Sequence, residues 1–376
     1  MSELVSNTGL HIITSPEDLP EGVSYRDLGG IVGYKAASIL WVQQYLPHIP
    51  TARMIVAPPG IQTEEILRTA RQQGLRFPWI IRSSAPEDNL PGYEGVLPTL
   101  TCEDELASPE RKIMEVKYSP SVSRGKFRTP EATVIIAEKS LSRLVGTIAA
   151  HPHKDNLLVG SVSNFKRPND PVHATFFIES GTVQFSPYWS SWKFIENLPF
   201  APQQLLTIAT YYQQIGSLPA MNPAITHQME FGLESTLYFQ FRDFLPKQKS
   251  SFTLPETEED KLPLGAKPMV FGITPPEGVI AQVYDSYEFT SGGELQRTSK
   301  DIPVAIISKS SGRIGQLLPQ DVNLFVEQQG MLAHTDVHFM RTCALTVIGA
   351  DGWWDLPTGQ FIRIFSDGER VRIEME

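Results

Sequence analysis

Four segments carry side chains suited to handling a charged phosphate, and they follow one another along the chain. The first is Gly29-Gly30-Ile31-Val32-Gly33-Tyr34-Lys35-Ala36-Ala37, glycines leading into a helix whose first turn holds a lysine. Amides at a helix start with an ammonium beside them form an anion site. The same residues also read as ordinary capping with a solvated Lys35, and no Gly-Lys-Ser/Thr follows at Walker spacing. The second segment is Ile80-Ile81-Arg82-Ser83-Ser84-Ala85-Pro86-Glu87-Asp88, an apolar strand ending in an arginine, two hydroxyls and two acids. A guanidinium placed there can fork onto phosphate oxygens, with Asp88 to Gly95 supplying pliable backbone. Pairing of Arg82 with Glu87 or Asp88 is the competing use of that charge.

The third segment joins Gln228-Met229-Glu230-Phe231 to Leu237-Tyr238-Phe239-Gln240-Phe241-Arg242, two strands linked by a short turn. Across such a hairpin Glu230 and Gln240 can present oxygens to a hard cation carrying phosphate. Arg242 shares the strand face of Gln240 because the strand period is two. A solvated sheet face is the plainer account of the same pattern. The fourth is Gly330-Met331-Leu332-Ala333-His334-Thr335-Asp336-Val337-His338. An imidazole at a helix start after glycine can accept a phosphoryl group at neutral pH. Metal ligation by His334 and His338 at i, i+4 is the rival chemistry, with Asp336 off that face and no third ligand in view. A lone surface or core histidine is the third reading.

Elements must position these groups. Lys35 to Leu46 places Ile39, Val42 and Leu46 at helical spacing, and Glu64 to Gln73 turns Ile66, Leu67 and Ala70 inward. Phe77 to Arg82 and Ala132 to Ala137 read as buried strands, Gln203 to Ile215 as a helix and Thr236 to Arg242 as an alternating strand. Pro246 to Leu264 is polar, carries three prolines and has no apolar period, so it is expected to be a flexible linker. Beyond it, Val279 to Tyr284 and Val304 to Ser308 are strand-like, and Phe361 to Phe365 with Val371 to Ile373 form a hairpin about Ser366-Asp367-Gly368. The expected division is 1–245, a linker 246–264, and a second domain 265–376. The fold class is α/β (α+β).

Composition narrows the function classes. Of 376 residues, 41% are hydrophobic and 20% charged, which suits folded domains with real cores. Lys and Arg number 32 against 42 Asp and Glu, a net charge of −10, so a dedicated nucleic-acid binder is not expected. The sequence holds no apolar run of membrane-spanning length, no signal-peptide pattern at Met1 to Leu10, and only Cys102 and Cys343. A cytoplasmic protein without membrane partners, disulfides or zinc is the expectation.

Taken in order, the four segments resemble the enzymes that use phosphoenolpyruvate: pyruvate phosphate dikinase, phosphoenolpyruvate synthase and rifampin phosphotransferase. The resemblance implies an abbreviated ATP-grasp domain followed by a small swivelling phosphohistidine domain. Lys35 looks like the lysine of the early Gly-Gly-Lys segment, and Arg82 like the arginine of the Val-Arg-Ser-Ser-Ala strand. Ala132 to Pro152 resembles the stretch beside the adenine, which puts Glu138 where glutamine is usual. Glu230, Gln240 and Arg242 match motifs in which Glu and Gln serve Mg2+ and Arg the phosphates. His334 matches the phosphorylated histidine.

The implied function is an ATP-dependent phosphotransferase that moves a phosphoryl group from Mg-ATP to His334 and on to a small-molecule or protein acceptor. Departures from the pattern are an insertion before Lys35, the missing middle Gly-Leu-Gly-Glu loop, Leu332-Ala333 in place of hydroxyls, Met340 in an arginine position, and no acceptor domain. They point to the alternative, a degenerate nucleotide-binding or scaffolding protein, or to a phosphocarrier serving a partner.

Overall fold

The computed structural model describes residues 11–376 apart from 20, 90–97, 120–129, 140–143, 165–173, 187–195, 197, 220, 234–236, 263, 265, 286–303, 309–321, 328–342 and 349–355. His334, His338 and most of Asp88 to Gly95 therefore lie outside the described residues. The architecture is mixed α/β and contains three sheets.

The first sheet has the order β1-β4-β2-β3, from Met54–Ala57 (β1), Trp79–Ser84 (β2), Thr99–Cys102 (β3) and Thr133–Glu138 (β4), every pair antiparallel. Two helices cover one face, Thr63–Gln72 (α3) and Pro109–Lys117 (α4). Ile66, Leu67 and Ala70 of α3 pack with Ile55, Trp79, Ile81, Val134 and Ile136 of the sheet and with Ile113 and Val116 of α4. Glu64 and Glu65 in the first turn of α3 and Arg71 in its last complement the helix dipole. Tyr25–Val32 (α1) and Tyr34–Tyr45 (α2) meet at Gly33.

A six-stranded sheet follows, ordered β10-β9-β5-β6-β7-β8. Its strands are Leu144–Ala150 (β5), Leu157–Asn164 (β6), Ala174–Glu179 (β7), Thr182–Phe185 (β8), Ile225–Gly232 (β9) and Leu237–Pro246 (β10), with helix Pro202–Gly216 (α5) between β8 and β9. The third sheet, β11-β15-β14-β13-β12-β16-β17, uses Met269–Phe271 (β11), Val279–Asp285 (β12), Val304–Ser308 (β13), Val322–Glu327 (β14), Leu345–Ile348 (β15), Phe361–Ser366 (β16) and Val371–Met375 (β17). Its centre is parallel, β12 to β15, and its flanks are antiparallel.

By compactness the chain divides into two units. One comprises 1–142, 211–222 and 229–242, and the other 143–210, 223–228 and 243–376. Segment 246–264, read from sequence as a linker, falls inside the second unit, where side-chain and backbone bonds fasten it to the β16–β17 hairpin. Leu254 N–H donates to Asp367 Oδ2 at 2.8 Å, Arg370 Nη1 to the Leu254 carbonyl at 2.8 Å, and Arg372 Nη2 to the Pro255 carbonyl at 3.0 Å and to Asp260. The flexible-chain reading is corrected here: polar composition says that a segment avoids the core, and these bonds hold it to the surface instead. Among the described residues no helix is long and apolar enough to cross a membrane, and Cys102 and Cys343 are unbridged.

In the six-stranded sheet Gly160 of β6 lies opposite Phe176 of β7, whose ring would stand 2.1 Å from a Cβ at that glycine. Phe176 is fully buried, so the ring has no room to withdraw. Gly160→Ala should destabilise the protein by about 1–3 kcal/mol, as overpacking does, read as a lower midpoint in urea unfolding with unchanged slope.

Candidate functional site

The first unit gathers most of the polar residues singled out in the sequence. Strand β2 alternates: Trp79, Ile81 and Ser83 are buried, Trp79 and Ile81 in the core under α3 and α4, while Ile80, Arg82 and Ser84 point to the other side. Ser84 Oγ accepts the Ala36 N–H at 3.1 Å, so a hydroxyl from β2 satisfies the first turn of α2 across 48 positions of sequence. Tyr34 N–H reaches the Ala85 carbonyl at 3.3 Å, and Lys35 Nζ donates to the Ser83 carbonyl at 3.1 Å.

Gly33 makes this approach possible. It is the C-cap of α1 and the N-cap of α2, with φ +78°, and a Cβ there would sit 2.3 Å from both Ala85 N and Ser84 Oγ. The expected glycine loop is thereby corrected. Gly29 and Gly30 are interior to α1, and the amide at the start of α2 is taken by Ser84 rather than turned to a ligand. Lys35 does stand in the first turn of its helix, as the spacing predicts.

Strand β10 is tied to the same helix. Ser38 Oγ donates to the Lys35 carbonyl at 3.0 Å and accepts the Phe241 N–H at 3.4 Å. Tyr238 N–H donates to the Pro50 carbonyl at 2.9 Å, and Gln43 Nε2 donates to Thr51 Oγ1 at 2.9 Å beside it. These ties carry Gln240 to Arg82, whose Nη2 donates to Gln240 Oε1 at 3.2 Å across 158 positions. Arg242 Nη2 lies 3.4 Å from Glu230 Oε1, with the arginine nearly buried and the carboxylate partly open. The Tyr238 phenol is buried against this cluster. Burial raises its pKa well above the ordinary value, with Ser38 pulling the other way, so it stays protonated.

Lys35, Arg82, Glu230, Gln240 and Arg242 thus belong to one unit, three cations to one carboxylate, with Glu87 buried in the turn after β2. Such a balance suits a polyanion. The carboxylate of Glu230 and the amide oxygen of Gln240 are hard donors of the kind Mg2+ takes, and that ion usually keeps only one or two protein carboxylates while phosphates and waters complete its shell. A carboxylate has about four acceptor positions, so an arginine contact and a metal bond are compatible. Among the described residues no group of three or more His, Cys, Asp and Glu is placed to hold a metal ion.

Glu138 is placed differently. It pairs in register with Trp79, three positions before Arg82 on β2, or about 10 Å at the strand rise. Its Oε1 accepts from Arg53 Nη1 and from the Arg76 N–H, both at 3.1 Å, and Arg76 Nη2 lies 3.5 Å from Oε2. Glu138 thus sits in an ion-pair cluster with Arg53 and Arg76. The sequence reading missed Gly33, Ser84, Ser38 and Tyr238 as positioning groups, since capping across 48 positions leaves no local pattern.

No protein-family model matches the chain, and no curated protein does. Among solved structures, carboxyaminoimidazole ribonucleotide synthase from Aspergillus clavatus complexed with ATP overlaps 57% of this chain and 44% of its own, at 10% identity and a TM-score of 0.34. D-alanine-D-alanine ligase from Coxiella burnetii overlaps 58% and 49%, at 9% and 0.33. The biotin carboxylase domain of a thermophilic 2-oxoglutarate carboxylase, bound to ADP without magnesium, overlaps 56% and 40%, at 14% and 0.28. This chain spans less than half the length of each of these neighbours. Overlaps of that identity and extent assign the chain to no family.

Removing the hydroxyl that caps α2 should cost about 1 kcal/mol in Ser84→Ala. Gly33→Ala should cost more, because it adds a positive-φ penalty to a backbone collision. Urea midpoints of the two variants check that order.

Proposed function

We propose that this chain is an ATP-dependent phosphotransferase whose first unit grips Mg-ATP through the Arg82 cluster. Lys35, Arg82 and Arg242 serve the phosphates, and Glu230 with Gln240 would hold Mg2+. The ion, when bound, screens the charge between phosphate oxygens. The chain's own part is positioning and neutralisation, since phosphoryl transfer asks little covalent chemistry of a protein. Ser84 and Ser38 fix the first turn of α2 and strand β10 against β2, so the cations are set before a ligand arrives. His334, outside the described residues, is the proposed acceptor: its ring nitrogen bonds the γ-phosphorus as the bond to the leaving ADP oxygen breaks, or the β-phosphorus as the bond to the leaving AMP oxygen breaks, water then releasing the γ-phosphate as inorganic phosphate. A small molecule or partner protein then takes the phosphoryl group from His334.

One observation carries the nucleotide reading: the Arg82 to Gln240 hydrogen bond, which unites two segments singled out independently for phosphate and for metal. Calorimetric titration with Mg-ATP tests it. Arg82→Ala and Glu230→Gln should each weaken binding roughly tenfold to a hundredfold, by the loss of a charge-assisted contact of about 1.5–3 kcal/mol, whereas Arg53→Ala at the Glu138 cluster should leave it unchanged. Equal affinities across the three variants would dismiss the site.

Transfer is tested separately. With ATP labelled at the β or γ position, wild type should acquire acid-labile, alkali-stable label and His334→Ala should not. Label persisting in that variant removes His334 from the mechanism. Tight nucleotide binding with no label in wild type identifies the degenerate, scaffolding form instead.

A further inference from the structure

The second unit contains a pair of histidines that the nucleotide site does not use. His151 and His153 stand in the connection from β5 to β6, and both are wedged against β11. His151 is buried, its Nδ1 accepts the His153 N–H at 3.3 Å, its ring packs on Phe271, and it bonds the Val270 backbone. His153 is half-buried and bridges two separated points of the chain. Its Nδ1 lies 3.0 Å from the Gln248 carbonyl, and its Nε2 accepts the Gly272 N–H at 3.1 Å. A carbonyl cannot donate and an amide cannot accept, so these two bonds together require the neutral ring with its proton on Nδ1. The ring also lies over Gly368 in the β16–β17 turn, where a Cβ would meet it at 2.7 Å.

Gln248 lies near the start of the segment 246–264 that was expected to be a free tether, and Gly272 lies eight residues past its end. Between them the second fastening, Asp260 with Arg372 and Arg370, holds the middle. We infer that residues 248–272 form a strap closed at both ends by the His153 imidazole, and that protonation of His153 unclasps it in mild acid. A proton on Nε2 turns the acceptor for Gly272 into a second donor facing a donor, so that bond is lost while the Gln248 bond survives.

The surroundings set the window. Burial lowers the pKa of His153 below 6.5; the bond to Gln248 and the carboxylates of Glu369 and Asp367 oppose that. His151, 5.9 Å away between ring centres, is held down to about 3, first by burial and then by His153 and Lys154, so it stays neutral through the range in question. Lys154 itself pairs with Glu179 at 3.1 Å. The Asp260 carboxylate, raised by burial, is lowered overall by bonds from Arg372 and Thr257, and it titrates below 3.8. With the folded pKa of His153 depressed, its contribution is fully present above about 6.5 and declines as pH falls below it. Of these groups His153 is the one whose protonation breaks a bond of the strap as pH falls below about 6.5, at its Gly272 end.

Hydrogen exchange of the full chain, followed in peptides spanning 246–272 and corrected for intrinsic pH dependence, tests this. Wild type should lose protection at Gly272 and its neighbours several-fold between pH 7 and 5. His153→Gln, whose amide keeps one donor and one acceptor but does not titrate, should stay protected at both. Asp260→Asn should keep the pH response while lowering protection around 254–260. In wild type alone, the imidazole of His153 and the Gly272 amide should titrate together by NMR. A flat wild-type profile, a His153→Gln profile that still falls, or a Gly272 amide indifferent to the His153 titration would each overturn the inference. None of these readouts involves nucleotide, so the strap and the ATP site stand or fall separately.

Discussion

The close approach of the α1–α2 corner to the end of β2 governs the candidate site. Backbone atoms of Gly33 pass so near Ala85 and Ser84 that no side chain fits between them. Because the two chain segments touch, a hydroxyl from one caps a helix of the other, and the Lys35 ammonium comes down on the carbonyl of the residue after Arg82. A second contact of the same helix, through Ser38, brings in β10. Two small side chains and one missing side chain thus decide where three long cationic ones lie. Long flexible residues supply charge, but the entropy lost in orienting them is limited by anchoring the backbone that bears them.

Polar groups buried this way demand partners, and the cluster is arranged as pairs. Arg242 is nearly inaccessible and is matched with Glu230; Arg82 is matched with the neutral Gln240. A similar network on the other side of the first sheet is fully balanced: Lys117, buried, donates to the Ile61 carbonyl at 2.7 Å and pairs with Glu131 at 3.0 Å, while Glu131 also takes the Tyr118 hydroxyl and the Gly60 N–H.

Much of the secondary structure was legible because its elements obey short-range rules. The spacing of Ile66, Leu67 and Ala70 gave α3, the apolar runs gave β2 and β4, and the Ser-Asp-Gly turn gave β16 and β17 within a residue or two. The sequence set Glu230 opposite Gln240 with Arg242 on the same strand face; in the structure Glu230 lies 3.4 Å from Arg242, and Gln240 takes the Arg82 guanidinium. Sheets β5 to β8 escaped notice because small residues such as Gly146, Ala149 and Gly160 blunt the alternation that marks a strand. The partners of Glu138, Arg53 and Arg76, were not legible because they arrive from loops whose approach is set by tertiary packing. Segment 246–264 was misread for a related reason: prolines and charges signal exposure, which both a tether and a fastened surface strand satisfy.

The order of strands in the third sheet bears on how the chain is made. β11 pairs with β15, and β12 with β16, so residues 269–271 and 279–282 find their neighbours only after some seventy to eighty more have been joined. At roughly 5–20 residues per second on the ribosome, that interval lasts several seconds, during which Val270, Ala281 and Val283 have no apolar cover from their later partners. The apolar cover of the early strands of this sheet is therefore completed only when its closing strands and hairpin are in place.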